Sequence, residues 1–302
     1  MTSAARGYAQ AIVGSMCYGL NPFFALPLYS CGLDPTSVLF YRYVFAVVLV
    51  GLFAIFRRES LSATRKELFL VALMGVLFAT SSLTLFYSFK FMDAGIASTI
   101  LFTYPLFVAL IAAIVFREKT SSRTWFSLLL ATMGIVLLYK NGNGETLNVC
   151  GVSLVLLSAL TYAIYMIGVS RSVLQAMPTL KLTFYSMLSG TLIFVFALRG
   201  GIDLVPLNTP FVWACAFGLA FFPTFVSMAF INGSIHRIGP VSAAIIGALE
   251  PLTALAVSIL VFNGRLTFVN CIGIVFILFA VLVVVLHNNR KYAYPQPGEF
   301  YL

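Results

Sequence analysis

The sequence predicts an all-α polytopic membrane protein of ten transmembrane helices, arranged as two inverted five-helix repeats. Three observations predict it: the hydropathy, the distribution of basic residues between apolar runs, and an internal repeat. Of the 302 residues, 61% are hydrophobic and 9% charged, and the mean hydropathy is +1.02. Water does not solvate so apolar a surface, whereas apolar runs of about 20 residues match the roughly 30 Å hydrocarbon thickness of a bilayer as helices.

The runs fall at residues 8–29, 36–56, 68–89, 94–116, 123–140, 150–170, 179–198, 211–232, 240–262 and 268–287. Short polar connections separate them and leave no room for an extramembrane domain. Few residues precede the first run and no convincing A-x-A cleavage site follows it, so the first span is expected to be retained. The basic residues then orient the chain. With a cytoplasmic N-terminus, Arg6, Arg57, Arg58, Arg65, Lys66, Arg117, Lys119, Arg123, Arg171, Lys181, Arg237, Arg290 and Lys291 lie inside, against Lys90, Lys140, Arg199 and Arg265 outside. That bias satisfies the positive-inside rule and predicts cytoplasmic termini. The net charge of +9 comes from these scattered clusters, not from a basic stripe interleaved with aromatics, so nucleic acid is not an expected partner. The five cysteines (Cys17, Cys31, Cys150, Cys215, Cys271) form no CxxC pair and read as small apolar fillers.

The repeat emerges when ASTILFTYPLFVALIAAIVF (97–116) is written over AAIIGALEPLTALAVSILVF (243–262): at an offset of 146, Pro105 meets Pro251 and the closing Val-Phe pairs coincide. An offset of 144 sets Tyr18 on Tyr162 and Phe40-Tyr41 on Phe184-Tyr185, and 143 sets Gly75 on Gly218. The expected units are 1–149 and 150–289, followed by a mobile cytoplasmic tail, 290–302. Five helices per unit is odd, so the second unit enters from the opposite face, the arrangement in which two half-structures exchange conformations around a midplane site.

These segments resemble the EamA branch of the drug/metabolite transporter superfamily. The resemblance covers nearly the whole chain and rests on GIASTILFTYPLFVALIAAIVFREK and GPVSAAIIGALEPLTALAVSILVFNGR, similar to the fourth and ninth helices of that family, and on LFYRYVFA, similar to the start of its second. It implies efflux or exchange of small polar metabolites, such as amino acids, across a bacterial cytoplasmic (inner) membrane. Two departures separate the halves: Tyr104 stands opposite Glu250, and Arg117-Glu118 opposite Asn263-Gly264.

Ionisable residues within the spans cost about 3 kcal/mol each at the centre on the insertion scale. Glu250 reads either as a protonatable or cation-binding group at the midplane, or as an acid that satisfies the carbonyl left without a donor by Pro251. Arg42 reads either as a side chain that snorkels to the outer interface or pairs with Asp34, or as an anchor for a substrate carboxylate. Pro105, Pro251 and Pro22 read as fixed kinks that shape packing or as flexing points for gating. Tyr18, Tyr162 and Tyr104 lie nearer mid-span than an interfacial belt would, and with Asn21 complete the candidate substrate or proton site. Ala243, Ala244, Gly247 and Ala248 suit close helix approach.

No metal ligand set or cofactor motif is legible. Asp34, Asp93 and Asp203 fall in outer loops and the histidines at membrane edges, so an intramembrane protease has no reagents, and the lack of GxxxxGK[ST] removes ATP as an internal energy source. A secondary transporter is therefore expected, with a small-molecule substrate, the bilayer and candidate protons as partners, and a homodimer left open. A passive channel or facilitator is the rival, and a receptor that only binds a third possibility.

Overall fold

The computed structural model describes residues 3–117, 122–139, 147–170, 172–264 and 266–288. Lys119, Lys140, Arg171, Arg265, Arg290, Lys291 and the tail 290–302 lie outside these residues. Every long element among the described residues is a helix: α1 Ser3–Gly19, α2 Asn21–Ser30, α3 Pro35–Phe56, α4 Arg65–Ser88, α5 Ala94–Leu101, α6 Tyr104–Val115, α7 Ser122–Tyr139, α8 Val149–Ser170, α9 Thr179–Ala197, α10 Pro210–Ala220, α11 Ser227–Ile246, α12 Leu249–Phe262 and α13 Phe268–Asn288. Among the described residues seven segments are long and apolar enough to cross a membrane, among them Ala5–Ser30, Ala94–Val115 and Pro210–Ile231; Trp125–Leu137, Leu249–Phe262 and Phe268–Val283 are shorter apolar helices. The chain is an all-α polytopic membrane protein.

Local chemistry accounts for the helix ends. Asp34 caps α3, its carboxylate accepting from the Thr36 and Ser37 N–H groups, with Pro35 at the first turn. Thr64 and Glu67 form a capping box at α4, and Asp93 caps α5 through Gly95 and Ile96. Exposed Phe56, Ile114, Phe196 and Leu260 give the outer surface the apolar character that lipid requires.

The candidate kinks differ from the sequence expectation. Pro22, Pro105 and Pro251 do not bend continuous helices: each lies in the first turn of a new helix, after an interruption at Leu20, at Phe102-Thr103 and at Gly247-Ala248. A proline there lacks an N–H that would have no intrahelical acceptor anyway. The carbonyls before the breaks are taken up locally, Ile100 by Thr103 N–H and Gly247 by Glu250 N–H, both at 3.0 Å. The carboxyl of Glu250 is thus not required to satisfy the backbone at Pro251.

A second difference concerns residues 233–239, expected as a loop and here part of continuous α11. Packing along α1 supports the helix: Gly7 lies against Arg237 and Ile238, and Arg237 donates to Gln10 and to the Gly233 carbonyl. A third is a π-helical turn, Phe221–Val226, between α10 and α11.

Packing pairs join the two halves. Helix α1 lies on α11, α4 on α8 and α9, α3 on α9 and α10, α5 on α12, and α7 on α13. Small residues permit the closest crossings: a Cβ added at Gly95 would sit 2.8 Å from the Leu255 Cα. The Ser258 hydroxyl of α12 donates to Asp93, tying the end of α12 to the cap of α5. All four non-glycine residues with positive φ among the described residues end helices, and two of them, Arg117 (φ 52°) and Asn263 (φ 55°), align at the offset of 146.

Candidate functional site

Three helix interruptions lie beside candidate residues, Tyr18 and Asn21 at the first, Tyr104 at the second and Glu250 at the third, while Tyr162 and Arg42 lie within the continuous helices α8 and α3. Tyr18 lies in the last turn of α1, just before Asn21 starts α2, the second half of the first span. The Asn21 amide donates to the Tyr18 carbonyl at 2.8 Å, closing the break with a side chain. Its Oδ1 is buried and has no partner among the described residues. Gly19 lets α12 approach: a Cβ there would lie 2.5 Å from the Glu250 carbonyl oxygen. The first break therefore packs directly on the third.

Glu250, Tyr18, Tyr104 and Tyr162 all lie deep in the bundle, and the Tyr18 phenol is an electrostatic neighbour of Glu250, Tyr104 and Tyr162. Each of the four nonetheless keeps some accessible surface. Tyr104 meets Tyr162 edge to face with ring centroids 4.8 Å apart. Among the described residues no basic side chain forms an ion pair with Glu250.

Arg42 overturns the interfacial reading. It is 2% exposed, so it does not snorkel, and Asp34 is occupied as a helix cap. Its Nε donates to Thr224 Oγ1 at 3.0 Å, and its Cζ lies 5.5 Å from the centre of the Phe86 ring. The Tyr18 phenol lies next to the guanidinium and within electrostatic range of the Glu250 carboxyl.

Sequence reasoning missed part of this cluster. Tyr165 stacks on Tyr162 at 5.9 Å and 15°, and Phe78 lies 5.2 Å from Tyr165. Their i, i+3 spacing on one helical face was an available signal for the tyrosine pair. Thr224 had none, because its position depends on the π turn. The Asn232 side chain lies outside the described residues, as do those of Ala243 and Ala244.

Chemically, the site offers one carboxyl, one guanidinium, several phenols and apolar rings, suited to binding and release of a polar molecule. No group of three or more His, Cys, Asp or Glu residues among the described residues is placed to hold a metal ion.

The model of the EamA-like transporter family matches twice, over residues 5–140 and 149–286. An uncharacterized transporter, YcbK, of Bacillus subtilis is 27% identical over 285 residues, covering 89% of each chain. The uncharacterized transporter sll1319 of Synechocystis is 29% identical over 71% of this chain and 64% of its own length. The uncharacterized inner membrane transporter YicL of Salmonella typhimurium is 25% identical, covering 83% of this chain and 85% of its own. A solved crystal structure superposes with a TM-score of 0.63 over 96% of this chain and 98% of that chain at 17% identity, a likeness of fold. The chain belongs to the EamA-like transporter family, and is thereby a membrane transporter and not an enzyme.

Proposed function

We propose that the protein is a secondary transporter that exports or exchanges a small, polar, amino-acid-like metabolite across a bacterial cytoplasmic membrane by alternating access. In this reading ten spans form two inverted repeats, residues 1–149 and 150–289, with both termini cytoplasmic. Glu250, Tyr18, Tyr104, Asn21, Tyr162 and Arg42 form the substrate or proton site, and the breaks before Pro22, Pro105 and Pro251 are the flexing points.

The observation that carries the proposal is the gathering of Glu250, Tyr18 and Tyr104, each beside a helix interruption, with Tyr162 of the continuous helix α8. Packing supports it. Counting α1 with α2, α5 with α6, and the two ends of α11 with α10 and α12, the principal pairs exchange when the halves are swapped. The third span lies on the sixth as the eighth lies on the first, and the third on the seventh as the eighth on the second. Such exchange is what an in-plane two-fold axis produces, and it lets one half adopt the other's conformation. The inner-membrane name of the Salmonella relative supports the location.

Reconstituted protein, screened for metabolite uptake and efflux with and without a pH gradient, tests the proposal. Saturable flux with trans-stimulation is expected; non-saturating, ohmic flux would replace the carrier with a channel. In the same vesicles Glu250→Gln should abolish or uncouple flux while leaving membrane insertion intact. Unchanged flux with unchanged gradient dependence sinks the coupling role.

A further inference from the structure

Arg42 is a buried cation with no ion-pair partner among the described residues. The groups placed around it are neutral: Thr224 Oγ1 accepts from Nε at 3.0 Å, the Phe86 ring faces Cζ at 5.5 Å, and the Tyr18 phenol lies beside the guanidinium. Asp34 is engaged with the Thr36 and Ser37 N–H groups, and no carboxylate among the described residues pairs with Arg42. Neutral partners compensate only part of the desolvation of a buried charge. A side chain kept charged under such conditions points to a counter-ion that comes and goes.

The backbone is arranged to hold this group. Thr224 is 1% exposed and sits within the π turn, and its hydroxyl reaches the Leu219 carbonyl five residues back at 3.4 Å. Donating there, the hydroxyl keeps its lone pairs for Arg42 Nε. π turns insert a residue into a helix and recur at functional sites. Here the insertion fixes the Nε edge of the guanidinium, and the other partner placed beside it, the Tyr18 phenol, is neutral.

We infer that Arg42 is an occluded anion subsite that receives a carboxylate of the transported molecule, with Thr224 as its positioning residue. The inference rests on the transport reading above and adds to it that the substrate is an anion at this end. A planar guanidinium and a carboxylate match in bidentate geometry, which a lysine cannot reproduce.

The test is equilibrium binding to the purified full-length protein in lipid nanodiscs, read as ligand protection against thermal unfolding. The probes are the proteinogenic amino acids, their carboxamides and their methyl esters, with sodium chloride alone as a separate arm. At least one free acid is expected to protect while its amide and ester fail. Thr224→Val should weaken the protecting acid by about tenfold, as expected for loss of a bond to a charged group, with Thr224→Ser restoring it and Arg42→Lys remaining weak. Equal protection by acid and amide overturns the subsite, as does protection by chloride alone to the same extent or by no acid at all. An unchanged acid-to-amide ratio in a folded Thr224→Val protein overturns the role of Thr224. Acid-selective binding without any flux would refute the transport reading and leave the subsite standing.

Discussion

The segments around Pro105 and Pro251 share a backbone and differ in chemistry. Both begin a helix just after an interruption, and both run to a residue in the left-handed region, Arg117 or Asn263. Yet the residue before the proline is a phenol in one and a carboxylic acid in the other. The helix preceding Pro105 is tied across the bundle by Asp93 to Ser258, whereas the sequence repeat puts Gly239 and Ala112 at the corresponding places. The break is thus a shared mechanical element, and the charge and the cross-bundle tie belong to particular arms. Breaks need only a proline and a tolerant neighbour, whereas an intramembrane charge costs enough to be placed only where it acts.

The largest expected effect tests that division directly. Glu250→Gln removes the acid while preserving shape, and flux driven by a pH gradient should fall to background; the exchange Tyr104→Glu with Glu250→Tyr should recover a measurable part if the arms are mechanically equivalent. A double variant as inactive as Glu250→Gln would show that the arms differ beyond this pair. Next in size, Gly19→Leu places a side chain where even a Cβ comes within 2.5 Å of the Glu250 carbonyl oxygen. Overpacking of that kind costs about 1–3 kcal/mol, visible as a lowered melting temperature in detergent.

Asp93→Ala removes the α5 cap and the tie to Ser258, for a loss of about 1–2 kcal/mol, whereas Ser258→Ala removes only the tie and should cost about half as much. Equal losses in the two melting curves would mean that the cap contributes nothing. The smallest effect belongs to Tyr104→Phe, which keeps the 4.8 Å contact with Tyr162 and loses only the hydroxyl. Melting should change by less than about 1 kcal/mol, and any change in the apparent affinity for substrate then measures the phenol alone.

Much of this molecule was legible in its residues. The apolar runs and the proline positions anticipated the helices. Glu250, Tyr104, Tyr18 and Tyr162 were legible as polar groups within apolar spans, and they lie near one another. Other features were not. Arg42 near the end of a span fits snorkelling and burial equally well until the rotation of α3 is known, and in an apolar helix periodicity does not set that rotation. The break one turn before each proline was read at the proline itself, because proline marks a helix start as readily as a kink. Tyr165, closer to a span end than Tyr162, shares a face with it, which only the packing makes part of the cluster.

The sequence by itself determined the class of protein, its family and the repeat of the proline-marked segments, since these follow from hydropathy and local backbone rules that act along the chain. Only the tertiary structure decided that Thr224 meets Arg42 across 182 positions, that Asn21 closes the break behind Tyr18, and that Gly19 admits Glu250. Those contacts depend on helix rotation and on one extra residue in a π turn. Both are chosen by packing between helices, where a membrane provides no apolar-to-polar gradient strong enough to write them into the pattern of residues.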